Sequence, residues 1–441
     1  MFQVKYIVFI LWLCDGIQGR TGFGPGEQEW GYVDVRKGAH MFWWLYYTTA
    51  PVSHYTERPL VIWLQGGPGG SSTGHGNFAL LGPLDLDLNE RNFTWVNLVN
   101  VLFVDNPVGT GFSYVDDARY LTTTNRQIGE DFAVLLKGIL QVVPEFATVP
   151  IYIFGQSYGG KMAADIAVAI HEHVASGDLK CNLQGIALGN SWISPLDSVL
   201  NWAPFLLEVG AVDEKGYNAI DAAAQRTKRV YESGDYVRST SEWSRTERVV
   251  WRESYNVDFY NILEQIPGDD AAAILRSISS TTPIAKPGEE RKTYSEDELM
   301  NGPVKEALGL SVTWGAQSSP VFDYLSEDFM KPVTHTIEHL LNTTNIKVSV
   351  YSGQLDLICC TPGTYQWVTN LQWINKAHWT RAPRPAFAVS GINEGYVKKA
   401  RNFAFYWINR AGHSSTENNP KGGRFVLLDV IGLSGKVSPE Y

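Results

Sequence analysis

The stretch VPIYIFGQSYGGKMAADIAVAIHEHVASG, residues 149–177, limits the possible folds more than any other part of the chain. A short apolar run ends at Gly155. A helical pattern begins within a few residues, with Met162, Ile166, Ile170 and Val174 in an i, i+4 stripe that stops at Gly177. Between them lies Gly155-Gln156-Ser157-Tyr158-Gly159, which fits a sharp strand-to-helix turn with small residues on its flanks. A buried strand feeding straight into an amphipathic helix is the unit of a parallel sheet with helices on both faces.

The same alternation recurs along the chain. YVDVRKGAHMFWWLYYTTA reads as two strands joined at Lys37-Gly38, and its aromatic part, residues 41–50, as a strand buried on both faces. PLVIWLQGG (59–67), NVLFVDNPVG (100–109, with the strand ending at Asp105) and LQGIALGN (183–190) read as further strands. GEDFAVLLKGILQVVPEF (129–146) reads as a helix with Phe132, Leu135, Leu136 and Ile139 on one face. Residues 200–312 are rich in charge and read as a helical insertion with a polar loop at 278–298. The pattern then resumes as a helix at 329–342 and strands at 346–353 and 402–409. The predicted fold class is α/β, with a core in two parts, residues 20–199 and 313–441, divided by a helical cap at 200–312.

The N-terminus reads as a signal peptide over residues 1–19. Lys5 precedes the apolar run Tyr6 to Cys14, which is too short to span a bilayer, and Gly16 and Gly19 offer cleavage points. No later run is long enough for a transmembrane helix, and the C-terminal KVSPEY carries no lipid or retention signal, so no membrane anchor is expected. Two sequons, at Asn92 and Asn342, agree with a secreted or lysosomal setting in the secretory-pathway lumen. A net charge of −10 disfavours nucleic acid as a partner. Cys181, Cys359 and Cys360 remain once Cys14 is removed, too few for a disulfide framework and poor support for a metal site. HTIEH (335–339) matches an inverted zinc-protease pattern, with His335 and His339 on one helix face. No third ligand stands out downstream, so neither metal nor cofactor is expected.

Ser157 is the candidate nucleophile. A serine needs a base, and the base needs an orienting acid. In a strand-turn-helix frame of this kind the chain order is serine, acid, histidine. Asp356 closes VSVYSGQLD and His413 closes FAFYWINRAGH, each just past the C-terminal end of a strand, where open α/β sheets build their sites. His378 lies in a polar, looped stretch with no strand before it. An oxyanion needs two main-chain N–H groups. One is expected from Tyr158, after the nucleophile, and the other from the glycine loop QGGPGGSS (65–72). No Gly-Lys-Ser/Thr follows that loop, so it is not read as a phosphate cradle.

VIWLQGGPGGSSTGHGNF, LFVDNPVGTGFSYV, YIFGQSYGGKMAADIA, GNSWISPLDSVL, YSGQLDLI and FAFYWINRAGH together resemble the serine carboxypeptidases, most nearly an animal branch of that family, over about residues 28 to 415. The resemblance implies an α/β-hydrolase fold with a helical cap, removal of C-terminal residues from peptide or protein substrates, and an acidic working pH. It places the triad at Ser157, Asp356 and His413 and the oxyanion donors at the amides of Gly67 and Tyr158. It places contacts to the substrate's terminal carboxylate at Gln65, the Gly66 amide and Gln156. Where the family uses two glutamates that share a proton, this chain has Ala79 and Gln156. A glutamine amide donates at any pH, so Gln156 is expected to keep one contact, with free C-termini cut better than amidated ones and a flatter acid dependence. The family's GHMVP is GHSST here. The two other function classes are a carboxypeptidase-like acyltransferase or esterase and a secreted binding protein with a weakened site.

Overall fold

The computed structural model describes residues 20–266 and 294–435. The expected signal peptide, Cys14, most of the polar loop at 278–298 and the C-terminal KVSPEY lie outside the described residues. Eleven strands form one mixed sheet: β1 (Gln28–Arg36), β2 (Ala39–Tyr46), β3 (Leu60–Leu64), β4 (Asn100–Val104), β5 (Tyr114–Val115), β6 (Pro150–Gln156), β7 (Asn182–Gly189), β8 (Lys347–Gly353), β9 (Ala386–Val389), β10 (Ile392–Ala400) and β11 (Phe403–Ile408). The order is β1-β2-β4-β3-β6-β7-β8-β11-β10-β9, with β5 against β2. The run from β4 to β11 is parallel. Antiparallel hairpins β1–β2 and β9–β10 with β11 close its two ends. The chain therefore has the architecture of an α/β hydrolase.

Alternation along the strands separates two cores. Met41, Trp43 and Leu45 of β2 join one core with Ile62, Ile151 and Ile153. Phe42, Trp44 and Tyr46 join the other with Val61, Trp63 and Phe154. The aromatic stretch is thus a strand buried on both faces. Helices α1 (Asn125–Val142) and α2 (Tyr158–Ala175) cover the first face, through Phe132, Leu136, Met162 and Ile166. Thr124 caps α1 by accepting the Gln127 N–H, which starts the helix four residues before the expected Gly129.

The middle of the chain departs from the expected single cap. Helix α3 (Pro195–Glu208) runs continuously through the boundary set at residue 200. Helices α4 (Glu214–Glu232) and α5 (Tyr236–Glu253) pack through Ile220, Ala224, Trp243 and Val250 into the first core. Leu299, Met300, Val304 and Leu308 pack into the second. Residues 299–308 therefore serve the opposite apolar cluster from α4 and α5. His378 lies in a helical turn, Lys376–Arg381, rather than a loop.

Candidate active site

Ser157 stands between β6 and α2 with φ 59° and ψ −127°, a conformation in which a side chain other than glycine's is strained. The positions two residues to either side must be glycine because the turn is crowded by main chain. A β-carbon on Gly155 would collide with the carbonyl of Gly159, and one on Gly159 with the carbonyl of Leu64. One on Gly160 would overlap the Ser191 hydroxyl. The strained turn is held by the Ser157 N–H, shared between the carbonyls of Gly189 (3.0 Å) and Asn190 (3.1 Å). The Ser157 carbonyl accepts from Gly160 (3.1 Å) and Trp192 (3.0 Å).

Asp356 and His413 meet beyond β8 and β11, which run side by side. His413 Nδ1 lies 3.0 Å from Asp356 Oδ2, and both side chains are buried. The pairing at Nδ1 leaves Nε2 as the free ring nitrogen of His413. Asp356 Oδ2 also accepts from Asn190 Nδ2 at 2.7 Å, and Oδ1 from the Cys359 N–H at 3.2 Å. His413 is held from the inserted segment as well. The His413 N–H donates to the Tyr260 carbonyl at 2.7 Å, and the two rings meet edge to face with centroids 5.1 Å apart. Cys359 packs beside the pair, and burial pushes its thiol well above the usual range, so it is neutral there. Cys181, Cys359 and Cys360 are all free thiols. His335 and His339 are exposed on the helix Thr334–Thr343, and Glu338 between them accepts the Gln372 N–H instead.

The glycine loop passes directly over the serine. A β-carbon on Gly66 would lie 2.6 Å from Ser157 Cβ and 3.0 Å from the Tyr158 nitrogen. Tyr158 opens α2, so its N–H has no acceptor within the helix. Gly67 has φ +115° and Gly69 +99°, which L side chains rarely adopt. Two residues given no site role in the sequence-based reading hold this loop. Asp105 accepts from Ser71 Oγ (2.7 Å), Thr73 N (3.0 Å), Thr73 Oγ1 (2.7 Å) and Phe112 N (2.8 Å). Gln317 Nε2 donates to the Pro68 carbonyl at 2.6 Å. Asn190 is the third residue not anticipated. It is fully buried at φ 44°, and its Oδ1 accepts from Ser415 Oγ at 2.6 Å while Nδ2 reaches Asp356. Asp105 ends a strand before a glycine turn, a visible signal. Nothing local in GNSW marks Asn190.

The expected donor role of Gln156 is corrected. Its Nε2 donates to the His413 carbonyl at 3.0 Å and lies 3.4 Å from Ser414 Oγ, so its donors are engaged within the protein. Its Oε1 is buried with no hydrogen-bond partner. Gln65 Oε1 accepts from Trp63 Nε1 at 3.1 Å, which leaves its NH2 as the free end. Ala79 lies on the helical segment Ser72–Leu81 and packs against the second core. Asn92 is exposed. Asn342 is exposed too, but its carboxamide bridges the loop opposite, donating to the Gln372 carbonyl (3.3 Å) and accepting from the Ile374 N–H (2.8 Å).

Comparison with known proteins points one way. The profile of the serine carboxypeptidase family matches residues 19–429. The retinoid-inducible serine carboxypeptidase of Rattus norvegicus is 44% identical over 399 residues, 88% of each chain. The protein of that name from Homo sapiens is 42% identical, again over 88% of each. Serine carboxypeptidase-like 51 of Arabidopsis thaliana is 35% identical across 99% of each. Among solved structures, Kex1(delta)p, a prohormone-processing carboxypeptidase from Saccharomyces cerevisiae, superposes with a TM-score of 0.77 at 22% identity, covering 93% of this chain and 92% of its own. That last likeness is one of fold.

Proposed function

The chain belongs to the serine carboxypeptidase family, and from that premise we propose that it releases C-terminal residues from peptides through an acyl-enzyme on Ser157. The observation that carries the reading is the serine held at φ 59° on the β6–α2 turn, with a buried His413–Asp356 pair beyond the neighbouring strands. Ser157 Oγ attacks the scissile carbonyl while His413 Nε2 takes its proton. Asp356, bonded to Nδ1, fixes the tautomer and stabilises the imidazolium. The Gly67 and Tyr158 amides donate to the oxyanion, and His413 returns the proton to the departing amine. Water then repeats the sequence on the ester and frees the enzyme. Gln65 and the Gly66 amide face the substrate's end. The apolar N-terminal run and the two sequons support a secretory-pathway setting, and the contact of Tyr260 with His413 supports a covering role for the inserted segment.

A fluorophosphonate probe should label the purified protein once, and Ser157→Ala should abolish labelling, both read by intact mass. Failure of the wild type to label anywhere from about pH 4 to 8 would sink the nucleophile assignment.

A further inference from the structure

Resting on the reading of Ser157 as a peptidase nucleophile, we propose that the subsite beside it selects a neutral terminal carboxamide over a free carboxylate. C-terminally amidated peptides are then the better substrates, the reverse of the order the family resemblance implies. Two glutamines form the subsite beside the Gly66 amide. Leu64 pairs with Gly155 in the parallel β3–β6 ladder. Gln156 is the last residue of β6 and Gln65 directly follows β3, and continued alternation sets both on the same face. That face also carries Trp63 and Phe154, which both pack edge-on against Trp95.

Each amide is fixed in one sense. The indole N–H of Trp63 can only donate, so it takes Gln65 Oε1 and turns the Gln65 NH2 outward. The main-chain carbonyl of His413 can only accept, so it takes Gln156 Nε2 and leaves Oε1 over. That oxygen is buried and unpartnered, on a side chain 3% exposed. The pair offers one donor, one acceptor and no formal charge.

A carboxamide is the complement of that pair. Its carbonyl accepts from Gln65 and its N–H donates to Gln156. A carboxylate has no proton to offer, and one of its oxygens faces Gln156 Oε1 with neither glutamine bringing a cation to offset the repulsion. Flipping Gln156 sets its oxygen against the His413 carbonyl, so the repulsion only moves. The methyl group of Ala79 supplies no other donor. A site that needs a ligand N–H discriminates against an analogue without one more sharply than an apolar pocket does. The chemistry at Ser157 is unchanged. One water still cleaves one peptide bond, and the released product is an amino-acid amide instead of an amino acid.

The test uses the full chain and two N-blocked dipeptides that differ only in ending as –CONH2 or –COO⁻. A third substrate, an N-blocked amino-acid ester, reports acyl transfer without the subsite. Above about pH 5.5 a terminal carboxyl is ionised, and kcat/KM should favour the amide by about tenfold. Calorimetric titration of Ser157→Ala with the same pair should show the same order in Kd. Gln156→Glu should swing the preference toward the free acid at low pH, where a protonated carboxyl can donate. Equal or reversed preference in the wild type, with the ester still hydrolysed, overturns the carboxamide subsite and leaves the peptidase reading standing. A preference unmoved by Gln156→Glu overturns it as well. Loss of ester turnover together with absent fluorophosphonate labelling removes the peptidase reading, and the subsite with it.

Discussion

Asn190 joins parts of the site that are far apart in sequence. Its carbonyl holds the Ser157 N–H, Nδ2 donates to Asp356, and Oδ1 takes the hydroxyl of Ser415, two residues past His413. The positive φ lets one residue turn its main chain to Ser157 and its side chain to Asp356. Asn190→Asp would set a second carboxylate at 2.7 Å from Asp356 Oδ2. Two carboxylates that close do not both stay ionised. The acid limb of kcat/KM against pH should therefore move up by about one unit or more, with fluorophosphonate labelling retained at neutral pH. An unmoved acid limb with lower thermal stability would reduce Asn190 to a packing role. The placement of Ser157 on its turn and the meeting of Asp356 with His413 were legible in sequence because each of the three closely follows an apolar run. Asn190 and the sense of the Gln156 amide were not, because both depend on partners more than 160 positions away.

At the scale of the element, the β6–α2 turn shows which glycines are indispensable. Gly159 is helical in its backbone, so its need for glycine is purely steric: a β-carbon there would drive into the Leu64 carbonyl of the neighbouring strand. Gly177, past the end of α2, has φ +82° but nothing within 4 Å. Gly159→Ala must displace main chain and should cost about 3 kcal/mol. Gly177→Ala pays only the left-handed conformation, about 1 kcal/mol. Urea denaturation of the two variants should rank them in that order, and equal losses would mean the turn relaxes freely. The strand–turn–helix unit was readable because its crowding forces a run of glycines. The β9–β10 hairpin was missed although its turn, Ser390-Gly391, has both residues at positive φ, as a two-residue hairpin requires. Its strands are short or broken by Gly395 and carry Lys398 and Lys399, so they lack the apolar run that marked the central sheet.

Across the whole molecule, the helices that cover the first face bury charge as well as apolar surface. Lys161 of α2 is fully buried against Asp328 at 2.8 Å, and the Tyr158 hydroxyl donates to the same carboxylate at 3.0 Å. That network is satisfied on both sides. Glu247 of α5 is not: it is buried, Oε2 has no partner, and only the charge of Arg248 opposes its desolvation. Burial therefore pushes its carboxyl well above the ordinary carboxylate range. The folded chain keeps a proton that the unfolded chain releases near pH 4.3. This stabilisation is present in full below about that pH and is lost as pH rises toward the folded-state value, so stability falls with pH over that window. Asp105 and Asp165, also raised by burial, tilt the curve the same way. Glu247→Gln keeps the shape of the side chain and removes the titration. It should be nearly neutral at pH 4, stabilise by on the order of 1–3 kcal/mol at pH 7, and flatten the dependence between them. Urea midpoints at the two pH values decide it. An equal shift at both would mean that Glu247 contributes through packing and that the pH slope arises at the other buried carboxyls.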